Sequence, residues 1–287
     1  MTTPLRVFAI GPSATDLVSA LGHVAVVDVA GQLGGTSSQP TSECPLAPFV
    51  LGHSPTPQAL AWGGEVGATR PDIVVADVAC ARCLDGESHK YWPGSLRAIA
   101  IGRPPLAECL NLLTTFGAAL GIEETMALEY QRRSARLLAL RMHAARYLVR
   151  TPGAKRPNVL ALTPDGDAWR VHDDHRLAEL IDAAGGVRVQ IPSGAVASLG
   201  DLELANPDVI LAGRSDAGTE DLATARRVDT LGAFAPTVWH ANWDTLLSSS
   251  GPSIVDAVES TLRATFPQAL GANGTPPARD LLRRVTT

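Results

Sequence analysis

Three of the four cysteines in this chain are placed to act together: Cys44, and the Cys80 and Cys83 of a Cys-Ala-Arg-Cys turn. A Cys-x2-Cys turn with a third thiol supplies three soft ligands, which suits zinc or an iron–sulfur centre. His53, Asp85 or His89 would complete a four-ligand set. No second Cys-x2-Cys follows, so three reduced thiols that merely pack are the competing reading. Cys109 falls in a helical pattern and reads as core.

Other clusters invite binding rather than catalysis. His172-Asp173-Asp174-His175 opens a helical pattern. It could coordinate a cation, or serve as an N-terminal cap whose carboxylates suit the helix dipole. Tyr91, Trp92, Trp169 and Trp243 fall in segments read as loops, where rings either stack on a flat, partly apolar ligand or seal an edge. Gly11-Pro12-Ser13-Ala14-Thr15, followed by Asp16, either holds an anion at a helix start or only caps it. Asn242-Trp243-Asp244 sits at another strand-to-helix junction. No Walker sequence, G-x-S-x-G, H-E-x-x-H or G-x-G-x-x-G opening a helix is present, so the enzyme classes built on them lack support.

The elements that must position these residues centre on 122–150. That run has no Gly or Pro, is acidic towards its start (Glu123, Glu124, Glu129) and basic towards its end (Arg141, Arg146, Arg150). Thr151-Pro152-Gly153 stops it. At about 1.5 Å per residue it spans roughly 40 Å, more than the ~35 Å of a compact lobe of about 120 residues. The run therefore reads as a connecting helix between an N-terminal lobe, 1–121, and a C-terminal lobe, 151–287.

The flanking halves read as one unit written twice. RPDIVVAD at 70–77 matches NPDVILAG at 206–213, and DLVSALGHVAVVDV matches AELIDAAGGVRVQI as helix, glycine stop and strand. Strands are expected at 6–10, 24–29, 73–77 and 96–101, then at 158–162, 187–191, 209–212 and from Val238. Helices are expected at 56–69, 105–120, 175–184, 195–205 and 253–266. The stretches 31–48 and 163–174 read as loops, and the Pro/Gly/Arg-rich last twenty residues as frayed. With right-handed crossovers each half becomes a parallel sheet covered by helices. Ligands of such sheets bind beyond the strands' carboxyl ends, which is where the residues above fall.

Composition narrows the partners. A net charge of −5 opposes a nucleic-acid backbone binder, and no apolar run is long enough to span a bilayer. MTTPLRVFAIG enters a strand without a leader pattern, from which a cytoplasmic protein is expected. A periplasmic or cell-surface location is expected instead if the chain is a trimmed piece.

RVFAIGPSATDLVSALG, RPDIVVAD, the long mid-chain helix, LAELIDAAGG, LANPDVILAG and NWDTLLSSSGPSIVDAVE, in that order, resemble the substrate-binding proteins of siderophore, haem and vitamin B12 ABC transporters. The resemblance runs from about Arg6 to Pro267 and is nearest to a signal-less, cobalamin-binding-like subgroup with a Cys-x2-Cys loop. That subgroup's Glu-Cys-Asp-Tyr-Pro loop is shortened here to Glu43-Cys44-Pro45, and Ser248-Ser-Ser-Gly-Pro252 lacks the usual Arg. The resemblance implies two α/β lobes joined by one rigid helix and a non-catalytic monomer. It also implies a metal chelate, such as a corrinoid, haem or iron–siderophore, held between the lobes, and a permease partner only if the protein is exported. Pro12, Ser13, Cys44, Tyr91, Trp92, Trp169, His172, Asn242, Trp243 and Asp244 are the residues expected to line the ligand. The alternative is a cytoplasmic protein binding bare zinc, iron or an iron–sulfur centre through Cys44, Cys80 and Cys83.

Overall fold

Apolar runs bounded by Pro-Asp or glycine become strands, and those strands set the architecture. The computed structural model describes residues 5–10, 14, 17–18, 27–33, 73–77, 97–101, 104–165, 168–191, 196–214, 228, 230–248, 251–268 and 282–284. Packing divides the chain into two compact units, 1–131 with 248–253 and 132–247 with 254–287.

In the first unit, β1 (Leu5–Ile10), β2 (Val27–Leu33), β3 (Ile73–Asp77) and β4 (Arg97–Ile101) form a four-stranded sheet in the order β2-β1-β3-β4. All its pairings are parallel. The described β2 runs on through Gly31, Gln32 and Leu33, which composition had assigned to a loop. The register shifts there, from Val7 opposite Val29 to Phe8 opposite Gly31. A glycine at such a bulge is how a loop-like composition continues a strand. The single helix expected over 105–120 is instead a 3-10 turn, Leu106–Glu108, followed by helix α1, Asn111–Leu120. Gly121, in the left-handed region at φ 70°, ends α1. A Cβ at Gly117 would lie 2.7 Å from the Met126 Cβ, so glycine is what lets the next helix start so close.

That next helix, α2 (Glu123–Arg150), is 28 residues long, and the division between the units falls within it. In the second unit its Arg136 reaches a buried carboxylate: Arg136 Nη2 lies 2.6 Å from Glu259 Oε2, and Arg263 Nη2 lies 2.9 Å from Glu259 Oε1. Glu259 has only 2% of its surface exposed, so its charge depends on both guanidiniums. Arg136→Ala leaves that carboxylate half-paired; a loss of about 1–3 kcal/mol is expected, read as a lowered urea midpoint with unchanged slope.

The second unit contains a seven-stranded mixed sheet, not the wholly parallel one expected. Its strands are β5 (Asn158–Asp165), β6 (Ala168–Val171), β7 (Val187–Arg188), β8 (Val196–Ala197), β9 (Val209–Arg214), β10 (Val238–Asn242) and β11 (Leu282–Arg284). The main order is β11-β10-β9-β5-β6-β8. The core pairings β10–β9, β9–β5 and β5–β7 are parallel, while β5–β6, β6–β8 and β10–β11 are antiparallel. Two expectations are thereby corrected. The stretch read as the loop 163–174 folds back as a hairpin, Leu162 opposite Val171 and Asp165 opposite Ala168. The tail read as frayed supplies β11, with His240 opposite Arg283. The hairpin also explains why the strand expected over 187–191 is only two residues. β7 pairs with Asn158 and Val159, and β6 pairs along the same strand from Leu162 onward.

Among the described residues this unit also carries the helices α3 (His175–Ala183), α4 (Leu199–Ala205), α5 (Trp243–Ser248) and α6 (Ile254–Thr265). The helix expected over 195–205 starts only at Leu199, because Ser198 and Asp201 form a capping box there. Val159–Leu162 and Val209–Gly213 are buried throughout, as strands covered on both faces must be.

Candidate functional site

Strand parity positions the chemistry-bearing residues of the second unit. Side chains alternate between the two faces of a strand. On β6, Trp169 and Val171 join Leu160 and Leu162 of β5 and Ile210 and Ala212 of β9 in one hydrophobic cluster. His172, one residue further on, turns to the opposite face. Its backbone N–H donates to the Ala161 carbonyl at 2.9 Å, and its Nδ1 lies 3.4 Å from Thr163 Oγ1. Trp243, the first residue after β10, meets it there. The indole and imidazole are stacked, with centroids 4.7 Å apart and planes 9° apart. The indole Nε1 also donates to the Gly213 carbonyl at 2.9 Å. Residues from β5, β6, β9 and the β10–α5 junction thus converge at the carboxyl edge of the parallel core.

Of the expected site residues, the structure brings His172 and Trp243 together and sends Trp169 to the other side of the sheet. Neither tryptophan is a loop ring: Trp243 is 1% exposed and Trp169 4%. Asn242 ends β10 opposite Arg214, next to the stack. Asp244 lies within α5, its side chain outside the described residues. Pro12, Ser13, Cys44, Cys80, Cys83, Tyr91 and Trp92 lie outside the described residues, as do Asp16, His53, Asp85 and His89. Cys109 is fully buried, with its Sγ 3.6 Å from the Pro104 carbonyl oxygen, but it closes the 3-10 turn rather than lying within a helix.

The His172–His175 run divides its labour. Asp174 is the N-cap of α3, its carboxylate accepting from the Arg176 N–H at 2.7 Å. Asp173 pairs with the Arg188 guanidinium, which holds its carboxyl below the usual range. His175 is exposed, with Nδ1 3.8 Å from Glu179 Oε1. Among the described residues no group of three His, Cys, Asp or Glu side chains is placed to hold a metal ion. Burial pushes the His172 pKa below its ordinary 6.5; Asp174 and Asp173 act upward and Arg188 downward. The neutral form of the ring is therefore favoured. Its Nε2 is buried with no hydrogen-bond partner among the described residues.

A separate, open recess of about 160 Å³ lies at the opposite, amino edge, lined by Lys155, Pro157, Asp208 and Thr237 among others. Lys155 and Asp208 face each other across it at 3.4 Å, and Asp208 also accepts from the Asn158 N–H at 2.8 Å. Those bonds tie strand entries together, a structural duty.

Two sheets of this topology with a 28-residue helix running from one unit into the other have well-defined counterparts. A periplasmic haem-binding protein from Pseudomonas aeruginosa superposes with a TM-score of 0.64 at 18% identity, over 99% of each chain. The fold is that of the ABC-transporter substrate-binding proteins. The periplasmic haem-binding protein RhuT from Roseiflexus sp. RS-1 shares this substrate-binding fold at a TM-score of 0.62 and 19% identity, over 93% of this chain and 100% of that one. The periplasmic catecholate-siderophore binding protein VctP from Vibrio cholerae does so at 0.58 and 12%, over 92% and 95%. No family model and no curated protein sequence matches the chain.

Proposed function

We propose that the chain is a non-catalytic binding protein for a metal chelate, of haem, iron–siderophore or corrinoid type, which it passes to an ABC permease. The observation that carries this reading is end-to-end likeness: the substrate-binding fold matches over 99% of this chain and 99% of a haem-binding neighbour. Haem and siderophore binders supply the described neighbours, so those chelates stand ahead of the corrinoid that the Cys-x2-Cys resemblance favours. The same neighbours are described as periplasmic, and a periplasmic or cell-surface location fits this reading better than a cytoplasmic one. Among the described residues no helix is long and apolar enough to cross a membrane.

At the carboxyl edge of the second unit, half-buried His172 and Asn242 are the described residues best placed to meet a ligand. Trp243 and Trp169 act from behind, as buried supports. Pro12, Ser13, Cys44, Tyr91 and Trp92, outside the described residues, are the ligand contacts proposed for the first unit from the resemblance. Affinity then comes from a largely pre-formed surface rather than from covalent chemistry.

Titration with haem, ferric siderophores and cobalamin, followed by visible absorbance and by melting temperature, tests the proposal. One of them is expected to give a saturable spectral change, and at a hundredfold excess over its Kd to add about 2.7 kcal/mol of stability. Silence with all three rejects the reading. A stoichiometric bound metal, lost in Cys80→Ser, would favour the bare-metal alternative instead.

A further inference from the structure

The His172–Trp243 stack has a chemical asymmetry that ligand binding does not require. A neutral imidazole with its proton on Nδ1 donates towards Thr163 Oγ1, 3.4 Å away, and leaves only a lone pair on the buried Nε2. A protonated imidazole places a charged N–H at that same buried position, where no acceptor stands among the described residues. The indole face would attract the cation, but a ring-face attraction does not replace a missing acceptor for a desolvated charge. The groups around the ring do not supply one. Asp174 is engaged with the Arg176 N–H as the α3 cap. Asp173, exposed, is paired with Arg188 of β7. β5 contributes Thr163 and α5 contributes Trp243, neither of which titrates near neutrality.

We propose that His172 is an acid-operated latch: as a neutral ring it locks Trp243 against the carboxyl edge of the sheet, and on protonation it leaves the stack for solvent and releases the indole. Solvent receives the outgoing cation. The device lies within the C-terminal unit alone and goes beyond chelate binding, so it is tested on the protein without any ligand. The direction of the His172 pKa agrees with it. Because the folded state favours the neutral ring, the stability this ring contributes is whole above the ordinary 6.5 and is lost as the pH falls through its lowered folded midpoint.

Proton NMR of the imidazole carbons, assigned by loss of a signal in His172→Phe, gives the decisive readout. The His172 signal is expected to carry an upfield ring-current shift at pH 8. It should titrate below 6.5 and lose that shift with the same midpoint. The difference in fluorescence between the native protein and Trp243→Phe is expected to change in parallel, and in His172→Phe the pH dependence of both the fluorescence and the urea midpoint should flatten over this range. Arg188→Gln, which leaves the stack in place, removes a nearby positive charge and should raise the midpoint. A ring-current shift that persists through protonation, or a midpoint at or above 6.5, overturns the latch. Circular dichroism at each pH separates local release from global unfolding, and unfolding of the whole protein at the same midpoint also overturns it.

Discussion

Gly213→Ala is expected to cost more than about 3 kcal/mol and to leave little folded C-terminal unit. A Cβ at that position would sit 1.7 Å from the Ala241 carbonyl oxygen and 2.6 Å from its carbon. Both are backbone atoms of β10, the strand hydrogen-bonded to β9 at this point. A crowding side chain can rotate aside, but a paired strand cannot, so the β9–β10 ladder must part to admit one methyl group. The same movement carries away the Gly213 carbonyl that receives the Trp243 indole. Gly200→Ala is the matched control. It lies within α4, where an added Cβ meets nothing nearer than Ser198 Oγ at 3.8 Å. There the change is expected to be neutral or to stabilise by up to about 1 kcal/mol, through helix propensity alone. Thermal melts of the two variants side by side read the contrast; equal melting temperatures would refute it.

Gly213 also shows what the sequence could and could not disclose. The run NPDVILAG announces a strand through its Pro-Asp entry and unbroken apolar core, and β9 begins at Val209 as read. The glycine looks like a stop, yet the strand continues to Arg214, because close approach to β10 and not chain reversal is what calls for glycine there. The long helix was legible to within one residue at its start, since lack of Gly and Pro between clear breakers is a local property. The β5–β6 hairpin was hidden by Pro164, which argues against a strand. The Gly166-Asp167 pair was the available signal, as Gly-Asp between two β-prone runs marks a hairpin. Once that hairpin is granted, parity alone assigns Trp169 and His172 to opposite faces. Local sequence holds no sign that β11, three residues near the C-terminus, would pair with β10. Nor could it show that His172 and Trp243, 71 positions apart, would stack, because that meeting depends on β5, β9 and β10 lying side by side.

Trp243→Ala is expected to cost about 3–5 kcal/mol, the range for deleting a buried aromatic side chain. Trp243 heads the fully buried side chains of the described residues by volume, and three separate losses coincide there. The cavity forfeits the dispersion contacts of an indole, the Gly213 carbonyl loses its donor, and His172 loses the ring that covers it. Trp243→Phe separates these terms. It keeps a ring against the imidazole and most of the volume, so a smaller loss of about 1–2 kcal/mol is expected, mainly from the unmet carbonyl. The two variants should also differ at His172. With alanine, water reaches the imidazole and its midpoint returns towards 6.5, whereas with phenylalanine burial persists and the midpoint stays low. Urea denaturation at pH 8 together with an NMR titration of His172 reads both effects. If alanine and phenylalanine prove equally stable and leave the His172 midpoint alike, the stack is neither a core element nor the source of the buried imidazole's neutrality.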